Sequence, residues 1–285
     1  MVPPGPVFDH MHAVLSEFSV YGDYCAGRLT REAYVAGLEA HAAGITDRLG
    51  GSEHLYRLAL RFPPDFDAEA DEVLSVLLAK GLVSDHRSGP AFEAYREKLA
   101  ASYDHGTNRT YILPDDARLL YYISMTVEPK RMIVAGSYYG YWAVWAMPGV
   151  EAAGGEAVLL DPDAAVCALA GQNFRSLGYG ERTTVLAKKA EDVLPTIAPG
   201  VDLVLLDAAG PDEHPDPAYH GKGIYGFLIG GIFEKMRDGA LLVVHNDYMD
   251  GPGGRELEGF HAFCRANFRT QHVAQTPEGF GVYLK

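Results

Sequence analysis

Four short stretches of this 285-residue chain put reactive or ligand-shaping residues at the end of an apolar run. "RMIVAGSYYGYW" (131–142) runs Met132-Ile133-Val134-Ala135 into Gly136-Ser137-Tyr138-Tyr139-Gly140; "LLDPD" ends on Asp161; "LVLLDAAG" delivers Asp207; "VVHNDYMD" delivers His245, Asn246 and Asp247. A strand feeding a glycine turn lets backbone approach a ligand at a helix N-terminus, and a dinucleotide site there wants GxGxxG. This turn lacks the middle glycine and fills the space with aromatics, which suits a flat or sulfonium-bearing ligand better than two phosphates. A ring face stabilises a cation by about 0.5–2 kcal/mol. The plainer alternative is a tight structural turn or aromatic core packing. Asp161, one strand further on, can accept both hydroxyls of a ribose in paired hydrogen bonds. It could instead simply cap the helix "DPDAAVCALA", which carries Pro162 at its start. An imidazole ordinarily titrates near neutrality, and for His245 a neighbouring carboxylate such as Asp247 would fix its tautomer and raise its basicity. The alternative is a rim histidine with a structural hydrogen bond.

The elements needed to position these residues can be read from periodicity. From about residue 105 onward, strands at 131–136, 156–161, 183–187, 201–207 and 240–246 alternate with helices near 115–127, 140–148, 163–177, 190–198 and 224–237. Strands that are apolar along their whole length predict a parallel sheet covered on both faces. The tail "FRTQHVAQTPEGFGVYLK" reads as strand, Pro-Glu-Gly turn, strand, a closing antiparallel hairpin. Residues 1–104 read as helices only, with apolar residues three to four apart and Thr30 as an N-cap. The expected organisation is therefore a helical N-terminal domain, 1–104, before a doubly wound α/β domain, 105–285. In such a sheet ligands sit at the carboxyl ends of the strands where strand order reverses. The Pro- and Gly-dense loop "AAGPDEHPDPAYHGKGIYG" after Asp207 lies at that rim and carries His214, Tyr219, His220, Lys222 and Tyr225. Each of its histidines reads as a loop residue before it reads as a catalyst.

Composition narrows the function. Hydrophobic residues make up 48% and charged residues 22%, ordinary for a globular enzyme. A net charge of −14, from 38 acidic against 24 basic side chains, repels a phosphate backbone, so nucleic acid is not expected as a partner. Cys25, Cys167 and Cys264 are far apart and odd in number, which offers no disulfide framework or CxxC pair and suits a reducing cytoplasm. The start "MVPPGPVFDHMHAVL" lacks the basic end and apolar core of a signal peptide, and no apolar run is long enough for a bilayer. A cytoplasmic enzyme acting on a small molecule is the expectation.

From about Tyr111 to the end, the chain resembles the class I S-adenosylmethionine-dependent methyltransferases, most closely the catechol O-methyltransferase-like family. "VAGSYYGYWAVWA" resembles that family's glycine motif, "LLDPDAAVCALAGQNFRSLGYGERTTVLAKKAEDVLP" its second and third segments, "VDLVLLDA" its fourth, and "TYILPDDARLL" the segment covering the cofactor from the other side. The resemblance implies a seven-stranded sheet with one antiparallel strand. It further implies that Gly136, Ser137, Tyr138 and Gly140 surround the methionine part of S-adenosylmethionine. Asp161 with Pro162 would hold the ribose, Ala190 and Glu191 would flank the adenine, and Ile112 would cover the cofactor. The sequence departs from the family twice. Val134 stands where the family has a glutamate facing the cofactor's ammonium, leaving Asp207 the nearest substitute. In metal-dependent members the fourth strand ends in Asp and the fifth in Asp-Asn. Here Asp207 supplies the first, but His245 precedes Asn246, and imidazole in that place argues against a hard divalent cation.

The expected activity is methyl transfer to a small-molecule hydroxyl or amine, with His245 as base, aided by Asp207 and Asp247, and with no metal assigned. The alternative spends S-adenosylmethionine as substrate, transferring or cyclising its aminocarboxypropyl arm and releasing methylthioadenosine. A non-catalytic binder of the cofactor is a third class. The N-terminal helices would act as a lid, a homodimer interface, or both.

Overall fold

The computed structural model describes residues 6–63, 65–84, 89–108, 112–247, 256–274, 276 and 278–285. Its contacts divide the chain into two compact units, 1–69 and 70–285. Helices α1 (Pro6–Leu15), α2 (Ser19–Cys25), α3 (Arg31–Glu39), α4 (Ala42–Arg48) and α5 (Glu53–Leu60) build the first. Thr30 caps α3 as its sequence suggests, its side chain accepting from the Ala33 N–H at 3.3 Å. The buried Tyr34 hydroxyl donates to the Ala59 carbonyl, tying α3 to α5. Glu69 accepts from Arg31 at 3.1 Å and from Arg61 at 2.9 Å, so one acid serves two guanidinium groups.

The unit boundary falls in the first turn of α6 (Phe66–Ala79), and α7 (Gly89–Ser102) belongs to the second unit. The boundary read from sequence, 104/105, thus lies inside that unit. Tyrosines hold the α7 region there. Tyr95 donates to the Val144 carbonyl and Tyr103 to the Tyr139 carbonyl, both at 2.7 Å. After α8 (Pro114–Val127) the predicted alternation appears: β1 (Arg131–Ala135), α9 (Met147–Ala152), β2 (Glu156–Asp161), α10 (Ala164–Ser176), β3 (Thr183–Ala187), α11 (Ala190–Val193), β4 (Val201–Leu206), α12 (Ile224–Lys235), β5 (Met236–His245), α13 (Glu258–Asn267), β6 (Thr270–Ala274) and β7 (Phe280–Leu284).

The strands form one seven-stranded sheet in the order β3-β2-β1-β4-β5-β7-β6, with β7 antiparallel to both neighbours. Of the hairpin turn, Pro277 lies outside the described residues. Burial explains the parallel part. Every residue of β4 is buried, and alternate side chains serve opposite faces. Val134, Leu159 and Leu205, in register across β1, β2 and β4, join one core; Ile133, Ala135, Leu160 and Val204 join the other. Consecutive elements wind outward in both directions from the β1/β4 junction. Strand order therefore reverses there, and the crevice between the carboxyl ends of those strands is where a ligand fits.

Candidate active site

At that junction the first glycine is required twice over. Gly136 has φ +82°, and a Cβ built on it would stand 2.3 Å from the Ala208 nitrogen. The turn after β1 is pressed directly on the turn after β4. Gly140, φ +85°, would put a Cβ 2.7 Å from the Phe174 ring, so both glycines fix the path of the loop between them. Gly136→Ala must move backbone and adopt a strained φ, so we expect a melting temperature about 5 °C lower. A thermal melt unchanged by this substitution would mean that the two turns are not locked together.

Between the two glycines, Tyr138 has φ +48° and a half-exposed side chain, and its N–H donates to Asp161 Oδ2 at 2.9 Å. The other carboxylate oxygen accepts from the Asp163 N–H at 3.0 Å. Asp161 is not the cap of α10; Asp163 is, accepting from the Ala165 and Val166 N–H groups. That leaves Asp161 at the crevice, held by the loop it supports, with lone pairs to spare. Burial lifts its carboxyl above the usual carboxylate range, against the pull of those two N–H donors. Pro162 follows it, Ser137 is buried beside Gly136, and Ile112 packs partly buried against the core. Ala190 is buried at the start of α11. Glu191 next to it accepts the Tyr219 hydroxyl.

The rim loop is an ordered structure. Gly210 and Gly221 close its base by exchanging N–H···O bonds of 2.8 and 3.0 Å. Inside, His214 stacks on Tyr219 at 4.1 Å, and the His220 ring bonds the His214 carbonyl. Both histidines thus serve the loop itself. Its closure returns Lys222 to the end of β4, where Nζ lies 2.6 Å from Asp207 Oδ1, 3.1 Å from the Asp207 carbonyl and 3.3 Å from that of Ala208.

His245 ends β5 fully surrounded, 2% exposed, with Nδ1 3.2 Å from Asp207 Oδ1 and Nε2 3.3 Å from Asp116 Oδ2. Trp142 packs over the ring at 5.3 Å. A row of alternating charge results: Asp116, His245, Asp207, Lys222. Burial alone would strip His245 of its proton, but Asp207 and Asp116 outweigh it and raise the imidazole to about 10. Burial likewise opposes ionisation of Asp207, yet Lys222 and His245 hold it down to about 2. Asp116, wholly buried in the first turn of α8, is pushed upward by desolvation, against the pull of His245.

Two expectations change here. His245 was expected to be a free base with Asp247 as its carboxylate. Its carboxylates are instead Asp116 and Asp207, and both favour the protonated ring. Asp247 turns to other partners, accepting from Tyr283 at 2.6 Å and lying 2.5 Å from His261 Nε2, in a buried cluster. Asp207 holds the Lys222 ammonium on Oδ1, with His245 Nδ1 3.2 Å from the same oxygen; Val134, buried in β1, offers no charge. The positions implied for a metal do not fit one. Asp207 is bound by an ammonium, His245 brings an imidazole between two carboxylates, and Asn246 donates to Glu278 at 3.0 Å. Among the described residues no group of three or more His, Cys, Asp or Glu side chains is arranged to hold a metal.

Asp116 and Lys222 were missed as site residues in the sequence. An acidic first turn usually signals a solvated helix start, and a loop lysine usually signals solvent. The cue for Lys222 was the Pro-Gly density of the rim loop, and for Asp116 its place in the stretch "TYILPDDARLL".

Residues 133–247 match a family model described as a methyltransferase domain. The chain is 29% identical over 185 residues to the catechol O-methyltransferase of Mycobacterium tuberculosis (strain ATCC 25618 / H37Rv), covering 65% of this chain and 72% of that relative. Among solved structures it is similar to cofactor-bound Rv0187 from MTB, with TM-score 0.53, 20% identity, and coverage of 78% of this chain and 96% of that one. It is similar also to the SAH-bound Podospora anserina methyltransferase PaMTH1, with TM-score 0.52, 17% identity, and coverage of 78% and 97%. At these identities the two structures bear on the fold alone.

Proposed function

We infer that this chain, a class I S-adenosylmethionine-dependent methyltransferase of the catechol O-methyltransferase-like family, transfers the sulfonium methyl group to a hydroxyl oxygen of a small molecule at the β1/β4 crevice. One observation carries the reading most directly. Asp161 reaches the crevice as a carboxylate pinned by the glycine-turn N–H of Tyr138, and so is poised to accept a ribose diol beside a loop whose first glycine, Gly136, admits no side chain.

Bound S-adenosylmethionine supplies the electrophilic methyl carbon. The protein's part is alignment and charge. Gly136, Ser137, Tyr138 and Gly140 shape the methionine end, Asp161 with Pro162 fixes the ribose, Ala190 and Glu191 border the adenine, and Ile112 closes the cover. By holding the cofactor at both ends these residues would fix its methyl group for an acceptor, and alignment of that kind is a large source of rate. Lys222 sets an ammonium, offset by Asp207, at the end of β4 beside the crevice. A hydroxyl that approaches its Nζ is favoured as the ionised form over the neutral one, as a fixed charge aimed at developing negative charge does. No side chain of the row is a free base, so the acceptor's proton passes to water or leaves before binding.

The test is the nucleoside product. Incubation with S-adenosylmethionine and a panel of catechols and other phenols is expected to give S-adenosylhomocysteine in step with a methyl ether. Methylthioadenosine as the product would establish aminocarboxypropyl chemistry instead, and saturable binding without turnover would make the protein a binder.

A further inference from the structure

We propose that the Lys222 ammonium, bound to Asp207 Oδ1 at 2.6 Å, is a built-in cation that replaces a divalent metal at this strand end and closes the position to one. The proposal deepens the methyl-transfer reading but is carried by separate observations. An ammonium has three donors, and Lys222 has three acceptors in reach: the Asp207 carboxylate and the carbonyls of Asp207 and Ala208. It is therefore held as a fixed charge, and its Nζ lies 5.4 Å from the centre of the Tyr225 ring. A divalent ion at Asp207 would have to displace it and then share the carboxylate with the His245 ring, whose Nδ1 lies 3.2 Å from the same oxygen. An ammonium and an imidazole occupy the space around one carboxylate, and a hard cation prefers several oxygen ligands.

The rim loop makes this arrangement possible. Gly210 admits no side chain, since a Cβ there would lie 1.7 Å from the Tyr219 carbonyl oxygen. The tight crossing at the loop's base, closed by the Gly210·Gly221 pair, brings Lys222 within reach of the strand it left at Leu206. The cation is thus delivered by the fold itself and is independent of metal supply. Its positioning role is electrostatic: it neutralises Asp207 and leaves His245 free to balance Asp116.

Metal binding can be measured without any turnover. Mn2+ titrated into the wild-type protein, followed by the electron paramagnetic resonance of free Mn2+, is expected to show no saturable site, and its melting temperature is expected to be unaffected by the ion. In Lys222→Ala, Asp207 loses its ammonium, and added Mn2+ is expected to raise the melting temperature by about 3 °C. Combining Lys222→Ala with His245→Asp leaves oxygen-bearing side chains at 207, 245 and 246, and is expected to bind Mn2+ saturably. Saturable Mn2+ binding by the wild type that Asp207→Asn abolishes would overturn the proposal. So would a Lys222→Ala protein, folded by circular dichroism, whose melting is as indifferent to Mn2+ as the wild type's. Neither result depends on whether methyl transfer occurs, so the two readings can fail separately.

Discussion

Asp161→Ala is expected to weaken S-adenosylmethionine binding by about 100-fold or more, measured by calorimetry. The estimate rests on two hydrogen bonds from ribose hydroxyls to one ionised oxygen pair. Bonds to a charged group contribute about 1.5–3 kcal/mol each, and every 1.4 kcal/mol is tenfold in affinity. The same carboxylate also accepts from the Tyr138 and Asp163 N–H groups, so the substitution loosens the glycine turn as well. A cofactor analogue lacking the 2′-hydroxyl separates the two effects. It should bind the wild type more weakly than the parent compound does, and bind Asp161→Ala with nearly the parent's affinity, because the partner of that hydroxyl is gone. If the analogue loses the same factor in both proteins, Asp161 is a loop support and the ribose lies elsewhere. Unchanged affinity for S-adenosylmethionine itself would remove the assignment altogether.

What could be read in advance followed physical range. The parallel strands announced themselves because a strand covered on both faces must be apolar at every position, as in 201–206, and that pattern is local. The strand-end acids were legible for the same reason: Asp161 and Asp207 interrupt such runs where the crevice has to be. The helix expected over 140–148 divides into a 3-10 turn, Ala143–Ala146, and α9, because Pro148 fits the first turn of a helix and not its interior. Strand β5 starts at Met236 rather than near 240. A register irregularity against β4 absorbs Arg237, Asp238 and Gly239, which look like a turn in one dimension. The carboxylates of His245 could not be assigned from spacing. Asn246 takes the left-handed region at φ +55°, which breaks the strand's alternation and sends Asp247 to His261 and Tyr283. Asp116 lies far from His245 in sequence, and Lys222 reaches Asp207 only through the Gly210·Gly221 pairing. Those contacts exist only once the sheet has formed.

Asp116→Asn, which removes the carboxyl group facing His245 Nε2 without changing its shape, is expected to cost about 3 kcal/mol near pH 7 and to flatten the alkaline side of the stability curve. Breaking a buried ion pair by removing one partner leaves an uncompensated charge, and here His245 is that charge. His245 is raised to about 10 in the folded protein, by Asp207 and Asp116 against desolvation, from an ordinary value near 6.5. Its contribution is therefore fully present below about pH 6.5 and is lost as pH rises through about 10, a decline of roughly 3–5 kcal/mol by linkage. Asp207 has the opposite sign. Held down to about 2, it contributes above its unfolded value and loses that contribution as pH falls through about 2. The row is thus best kept between these limbs, with Lys222 neutralising Asp207 and Glu278 adding negative charge near Asp116. Denaturant unfolding at a series of pH values, read beside the His245 ring proton in a titration by nuclear magnetic resonance, checks both parts. In Asp116→Asn the imidazole should titrate well below the wild-type value, and stability should fall less steeply between pH 7 and 10. Should the variant lose stability with pH as the wild type does, or His245 titrate near 6.5 in both, the carboxylates are not holding its proton and the alternating row of charge is not what organises this site.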